Sequence, residues 1–450
     1  MPIRDLIRRY DTAVPRYTSY PTAPHFLPVA TDAAYRQWLS EVPGDSGLSL
    51  YLHVPFCKAM CWYCGCHTRV VNQRRPLVEY AGWLCREADL FAGCLPAGPI
   101  VRNIHWGGGS PTMLPDANFL QVMRHLREAF AIAADAEISV EVDPRILDRR
   151  KAESLAEAGV NRASLGVQSF DPAVQQAVNR IQSLETVGIA VGDLRAAGIA
   201  ALNFDLMYGL PHQTAESLMQ TVDAALLLTP ERVALFGYAH VPWMKRHQQL
   251  INAAYLPDSV ARLEQYLAAS ERLEAAGYQR IGLDHYALRD DPMAVAARAH
   301  RLHRNFQGYT TDSAEVLLGL GASAIGALPQ GYVQNAIAVP DYRRAILEGR
   351  LPVVRQRALD ADDRLRREVI ERLMCDLEVD AAAVAATHGC GPAVFQPEFS
   401  CLLSMQADGL VEIDGYRLTV TEVGRPFVRA VASVFDRYLA AQAARHSKAV

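Results

Sequence analysis

The chain has no uninterrupted apolar run of about 18 residues, the least a membrane-spanning helix requires, so no membrane span is expected. Its first ten residues, Met1 to Tyr10, alternate charge with apolar side chains and lack the apolar core of a secretory leader, so no export signal is expected either. Neither sign of charge dominates: 45 Lys and Arg face 49 Asp and Glu, a formal net charge of −4 over 450 residues. No global field draws such a chain to nucleic acid or to an anionic membrane, and an anionic ligand must be met by local arginines and lysines. No internal repeat occurs beyond a strand-helix alternation, and the only low-complexity tract is the alanine-rich stretch 380–387. Nine cysteines, an odd number, show no disulfide framework, which points to a reducing cytoplasm.

The cysteines are instead concentrated. Cys57, Cys61 and Cys64, with Cys66 just beyond, fall within ten residues directly after an apolar, strand-like run from Leu50 to Phe56. Thiolates spaced so closely suit an iron-sulfur cluster, whereas a tetrahedral zinc site usually draws two Cys-x2-Cys knuckles from separate stretches. Cys85, Cys94, Cys375, Cys390 and Cys401 supply no second knuckle, so zinc stands as the alternative. Cys85 lies within a helical pattern, where a buried small apolar side chain is the expected role.

Strand-length apolar runs recur at 50–55, 103–106, 137–142, 162–167, 203–208, 232–238 and 280–283. Between them lie helical patterns; from Asp116 to Phe130, apolar residues Phe119, Val122, Met123, Leu126 and Phe130 recur at helical spacing, with Asp116 as the expected N-cap. This alternation predicts an α/β fold, a partial (β/α)6 barrel over 49–355 whose active site lies at the C-terminal ends of parallel strands. Residues 1–48, rich in proline and tyrosine, are expected to extend over the active site. After about residue 355 the alternation stops, and 356–450 is expected to form a mostly helical, winged-helix-like domain with a hairpin at Asp414-Gly415. That domain carries no concentrated basic stripe, so a lid or docking role is expected in place of DNA binding.

The Cys-x3-Cys-x2-Cys spacing resembles that of the radical S-adenosylmethionine enzymes. Further segments narrow the likeness: CKAMCWYCGC (57–66), PRYTSYPTA (15–23), HWGGGSPT (105–112), EVDP (141–144), GVQSF (166–170), DLMYGLP (205–211) and HRNFQGYTT (303–311). Together they resemble the oxygen-independent coproporphyrinogen III oxidases over nearly the whole chain.

The resemblance implies a 4Fe-4S cluster held by Cys57, Cys61 and Cys64, with one iron left open for S-adenosylmethionine, and Cys66 as a family marker outside the ligand set. Reductive cleavage of the sulfonium then gives a 5′-deoxyadenosyl radical, and two propionates of coproporphyrinogen III become the vinyl groups of protoporphyrinogen IX. It further implies two S-adenosylmethionine molecules per site. Tyr51, Gly108, Glu141 and Ile325 correspond to contacts with the first. Tyr63, Gly109, Ser110, Gln168, Arg180, Asp205 and Ala239 correspond to contacts with the second. Tyr51, His53, Glu141 and Arg180 are the candidate catalytic residues. Reduced flavodoxin or ferredoxin is the implied electron donor, and a monomer is expected. Ser110 and Gly237 depart from the family, which often has threonine and asparagine at these positions.

Several of these positions also have their own chemical logic. Gly107 to Gly109 follow a strand, and residues without side chains permit close approach to the backbone. Glu141 and Asp205 end strands, where carboxylates can take an ammonium or ribose hydroxyls. Arg180 suits bidentate pairing with a carboxylate of cofactor or substrate, and Arg16 is a further candidate for a propionate. Tyr51 and His53, two apart on one strand, share a face, and His53 is placed to relay a proton. Taken singly, each has a plain structural reading: a tight turn, a helix cap, a solvated arginine, a packed aromatic or core histidine. The cysteine loop outweighs these readings, because a cluster of reachable thiols has no structural purpose in a reducing compartment. The alternative within the superfamily is a haem-binding chaperone. Such relatives generally have phenylalanine for the fourth cysteine and lack both HRNFQGY and the long N-terminal extension, and this chain has all three features.

Overall fold

The computed structural model describes residues 3–439 and 448. Among these, a thirteen-stranded sheet contains seven adjacent parallel strands. In chain order they are β1 (Gly47–Val54), β2 (Ile100–Gly108), β3 (Ala131–Val142), β4 (Arg162–Gln168), β5 (Ala201–Tyr208), β6 (Arg232–Gly237) and β7 (Val316–Leu320). Strand β7 pairs with β1, and β1 to β6 follow one another across the sheet. The first six are the strands expected from the sequence. The sheet ends at two unjoined edges, so the barrel stays open.

Period-two alternation divides each parallel strand between two surroundings. Leu48, Leu50, Leu52 and Val54 of β1, Ile138, Val140 and Val142 of β3, and Leu202, Phe204 and Leu206 of β5 are almost fully buried in the main core with the helices. Each such side chain contributes roughly 1.5–3 kcal/mol through removal from water. The alternate positions, among them Ser49, His105, Ser139, Glu141, Ser164, Asn203 and Asp205, line an inner cavity of about 230 Å³. A polar lumen inside an apolar shell is the outcome, and its C-terminal mouth carries the cysteine loop.

Several expectations are corrected. The strand expected at 280–283 is Tyr278–Ile281, paired antiparallel with His285–Leu288, because the chain turns back within three residues. Beyond residue 300, antiparallel strands Ile325–Leu328, Gly331–Asn335 and Val353–Ala358 extend the sheet past β7, and Leu27–Pro28 of the N-terminal segment pairs with the last of them. Asp116 is the first residue of helix Asp116–Ala129, not its cap; Pro115 holds that position and the Asp116 carboxylate binds Arg150 and Lys151 instead. The C-terminal hairpin pairs Asp414 with Arg417, so Gly415 and Tyr416 form the turn, with Gly415 at φ +60°. That hairpin and Glu378–Asp380 make a three-stranded sheet beside helices Ala361–Asp376 and Gln396–Ala407, a winged-helix-like arrangement. Cys85 is buried in helix Arg74–Ala92, as expected. Among the described residues, no helix is long and apolar enough to cross a membrane.

The N-terminal segment is strapped to the C-terminal region. Tyr10 Oη donates to Asp408 Oδ2 at 2.5 Å, Tyr17 Oη to Asp436 Oδ2 at 3.0 Å, and the Arg429 guanidinium to the carbonyls of Val14 and Pro15.

One buried carboxyl ties the outer helix Arg74–Ala92 to the ends of β7 and of strand Gly331–Asn335. Glu87, with no exposed surface, accepts from Gly321 N at 2.7 Å, Asn335 Nδ2 at 2.8 Å and Tyr342 Oη at 2.6 Å. Burial pushes it up to about 7 despite these hydrogen bonds, which act in the opposite direction. Between pH 4.5 and about 7 the unfolded chain releases a proton that the fold retains, so stability falls as pH rises through this window, by up to about 3 kcal/mol. Thermal unfolding from pH 5 to 8 should therefore show a steeper loss of Tm in the wild type than in Glu87→Gln; parallel profiles would contradict the assignment.

Candidate active site

Strand β1 runs directly into the cysteine loop. Phe56–Cys57 pair in parallel with Arg69–Val70, and Val71 N donates to Cys57 O at 3.0 Å, so the intervening residues close into one loop over the sheet mouth. Cys61 is buried, Cys57 and Cys64 are half-buried, and Cys66 is exposed. The Cys57 thiol lies 3.1 Å from Thr68 Oγ1, and Cys66 N donates to Cys64 Sγ at 3.4 Å. The loop is held from outside by Asn179 Nδ2 on Met60 O at 2.8 Å, His247 Nε2 on Cys64 O at 2.7 Å and Lys245 Nζ on Cys66 O at 3.0 Å. Burial pushes the Cys57 thiol up to about 11, whereas a hydrogen bond from the Cys66 thiol brings Cys64 down to about 7.

Two arginines approach Cys61 from below. Arg180 Nη1 donates to its sulfur at 3.4 Å and Arg145 Nη2 at 3.7 Å. Both arginines are held by Asp143, which takes Arg145 Nε at 2.9 Å and Nη2 at 2.7 Å and lies 3.5 Å from Arg180 Nη2. Burial disfavours the Asp143 charge, but the hydrogen bond from Arg145 and the charge of Arg180 outweigh it and lower its pKa. Arg180, expected to bind a carboxylate of cofactor or substrate, thus already serves Asp143, the Gly166 carbonyl and the Cys61 sulfur. Its Nε, buried and without a partner, is the atom left over.

Among the described residues, no three His, Cys, Asp or Glu side chains converge on a single-ion position. Zinc would need its thiolates about 2.3 Å from one centre. Three thiols spread over one loop, with guanidinium groups donating to a sulfur, fit a larger anionic iron-sulfur cluster.

The glycine triplet shapes the neighbouring wall. Gly108 has φ +110°, and a Cβ there would meet the His53 ring at 2.6 Å; at Gly109 it would meet Phe56 O at 2.7 Å. Gly108 N donates to Glu141 Oε2 at 3.1 Å, and Glu141 Oε1 fills the space beside Gly107. His53 and Tyr51 share a face as expected: Nε2 of His53 donates to His67 O at 2.9 Å, and Tyr51 Oη lies 3.0 Å from Nδ1. Burial lowers the His53 pKa. The neutral ring therefore carries its proton on Nε2 and accepts the Tyr51 hydroxyl proton on Nδ1. His105, which the sequence did not single out, stacks on the Tyr51 ring at 5.8 Å and bridges Ser139 at 2.7 Å to Glu141 at 3.4 Å.

The other candidates divide by position. Asp205 sits inside the lumen, accepting from Ser164 Oγ at 3.1 Å and Asn203 Nδ2 at 2.8 Å. Gln168 ends β4 with φ +67°, and buried Ser110 bonds Thr112 at 3.1 Å. The carbonyls of Tyr63 and Ala239 share one donor, Gln248 Nε2, at 2.9 and 3.2 Å, which joins the cysteine loop to the end of β6. Ile325 stands apart from this group, beyond β7, packed against the Phe26, Tyr332 and Leu359 cluster. Asp143 and Arg145 were missed as a pair; an acid two residues before an arginine, inside EVDPR, was the available signal.

Burial, and next the charge of Glu141, push Asp205 up to about 7. Glu141→Gln should shift the Asp205 titration toward lower pH, read by difference infrared spectroscopy of the protonated carboxyl band. An unchanged midpoint would break the electrostatic link between the two carboxylates.

Comparison with known proteins agrees with this geometry. Residues 51–225 match the radical SAM superfamily model and 359–427 the HemN C-terminal domain model. The oxygen-independent coproporphyrinogen III oxidase of Bradyrhizobium diazoefficiens is 51% identical over 437 residues, 97% of each chain. The one from Pseudomonas aeruginosa is 40% identical over 97% of this chain and 95% of its own. The solved structure of coproporphyrinogen III oxidase (HemN) from Escherichia coli, described as a radical SAM enzyme, superimposes with a TM-score of 0.90 at 39% identity, covering 94% of this chain and 98% of that one. With relatives this similar along almost its entire length, the chain belongs to the oxygen-independent coproporphyrinogen III oxidase family of the radical SAM superfamily.

Proposed function

We propose that this enzyme converts coproporphyrinogen III to protoporphyrinogen IX without oxygen, turning two propionates into vinyl groups with loss of carbon dioxide. The observation that carries the reading is the three-thiol loop on the mouth of the parallel sheet, with Arg145 and Arg180 donating to Cys61. When bound there, a 4Fe-4S cluster with S-adenosylmethionine on its open iron supplies radical chemistry able to remove hydrogen from unactivated carbon.

The chain's own residues bind and position. Cys57, Cys61 and Cys64 would hold the cluster, and Cys66 would stay outside the ligand set. The Asp143, Arg145 and Arg180 group offsets negative charge at the Cys61 sulfur. Glu141, fixed by Gly108 N, is placed to take the ammonium of a methionyl group, and the glycine wall lets that group lie close to the backbone. Tyr51 donates its hydroxyl hydrogen bond to Nδ1 of the neutral His53, which leaves its oxygen lone pairs able to accept. Asp205, near neutral in its titration, is placed to exchange a proton or accept a ribose hydroxyl in a second S-adenosylmethionine position with Gln168, Ser110 and Tyr63. A low-potential donor such as flavodoxin or ferredoxin and a cytoplasmic monomer complete the proposal.

Anaerobic incubation with coproporphyrinogen III, S-adenosylmethionine and a strong reductant should yield vinyl product with about two methionines per substrate. Absence of vinyl product from protein that carries its iron and sulfide would refute the assignment. Serine at position 57, 61 or 64 should abolish cluster retention and S-adenosylmethionine cleavage together, whereas Cys66→Ser should retain the cluster. Asp143→Asn should lower turnover about 10–100-fold through misplaced arginines, with iron content preserved; wild-type turnover in that variant would remove Asp143 from the account.

A further inference from the structure

Two motifs carry no role in the chemistry above: PRYTSYPTA near the N-terminus and HRNFQGYTT after residue 302. The fold brings them together. Arg304 Nη2 of the second donates to the carbonyl of Arg16 in the first, at 3.4 Å, and Arg16 Nη2 donates to Gly237 O at the end of β6, at 3.0 Å. Both arginines line a cavity of about 430 Å³ at the C-terminal ends of β5 and β6. Arg262, Arg429 and Lys448 line it as well, against two carboxylates among the described residues, Asp258 and Asp284. In a chain of net charge −4, this is a local excess of positive charge.

The cations are not equivalent. Arg429 is engaged with the carbonyls of Val14 and Pro15 and holds the N-terminal strap. Arg304 lies over the Tyr309 ring at 4.4 Å, its side chain only 5% exposed, with Nη1 4.0 Å from Asp284. Its Nε and Nη1 have no hydrogen-bond partner among the described residues, and buried guanidinium N–H groups left in that state are costly unless a ligand meets them. Arg16 crowds the same space, where it faces both the Asp284 carboxylate and the Arg304 guanidinium. Tyr208, Phe236, Tyr238 and Leu283 supply apolar wall between the charges. An occupant thus combines carboxylates with an apolar body.

We propose that this cavity seats the propionates that the reaction leaves intact, with Arg304 and Arg16 as their partners, an inference that rests on the function proposed above. The cavity is tied to the cysteine loop, because Gln248 bridges the carbonyl of Ala239, in the cavity wall, to that of Tyr63 in the loop. A tetrapyrrole anchored here by one edge directs its opposite edge toward the lumen mouth. The two propionates that react are then free of ion pairs, and those that remain on the product hold the macrocycle.

The product-like ligand protoporphyrin IX, which keeps only the surviving propionates, provides the test. Its binding to the reconstituted holoenzyme, followed by fluorescence quenching, is compared with that of its dimethyl ester. The free diacid should bind at least 10-fold more tightly than the ester. Arg304→Gln and Arg16→Gln should each weaken the diacid at least 10-fold and leave the ester unchanged, with Arg304→Lys recovering part of the loss. Arg16 is exposed and makes one backbone contact, so its variant serves even if the buried Arg304→Gln misfolds. Equal binding of diacid and ester, or wild-type affinity in a folded Arg16→Gln, would overturn the proposal. These measurements need no turnover. Failure of the wild type to form vinyl product strikes the proposed function itself and is recognised separately.

Discussion

The absence of three side chains governs the mouth of the sheet. At Gly107, Gly108 and Gly109 the ends of β1, β2 and β3 come close enough for Glu141, His53 and the Phe56–Thr68 turn to occupy the space that Cβ atoms would take. Because Gly109 N donates to Val54 O and Ser110 N to Phe56 O, the cysteine loop leaves β1 in one defined direction. Any residue larger than glycine at 108 would be strained at φ +110° and would have to displace the buried His53 ring. The placement of thiols, carboxylate and Tyr51–His53 pair all follow from that close approach.

Around this mouth, charge is handled in two compartments. Below the cysteine loop, Asp143 organises Arg145 and Arg180 so that positive charge faces the Cys61 sulfur. Across the lumen, Glu141 and Asp205 share a polar cavity in which one carboxylate raises the pKa of the other. The arginine-rich cavity lies further round, where the N-terminal strap, β6 and the C-terminal region meet. The cysteine loop and the arginine-rich cavity thereby have separate electrostatic surroundings, linked through Gln248.

Much of this was legible from the sequence, for identifiable reasons. β1 to β6 announce themselves because an apolar shell and a polar lumen impose alternation on long strands. Tyr51 and His53 were placed on one face by period alone, and the cysteine spacing stated its own chemistry. The antiparallel flank was not legible. Ile325–Leu328 and Gly331–Asn335 are only four and five residues long and fully embedded in glycine-rich sequence, so their pairing depends on partners far away in the chain. Arg180 looked free because nothing local reveals that Asp143 and the Gly166 carbonyl meet it after folding. The HRNFQGYTT segment had no physical reading until Arg304 was seen beside Arg16, nearly three hundred residues away in sequence.

The central claim is that this loop binds three irons of four and leaves one to a small molecule. Mössbauer spectroscopy of 57Fe-reconstituted protein, with and without S-adenosylmethionine, tests it directly. The account predicts that addition of the cofactor makes one iron in four spectroscopically distinct, with the shift expected of added nitrogen and oxygen ligands. Four irons that remain alike, or a protein that holds no cluster, would contradict it.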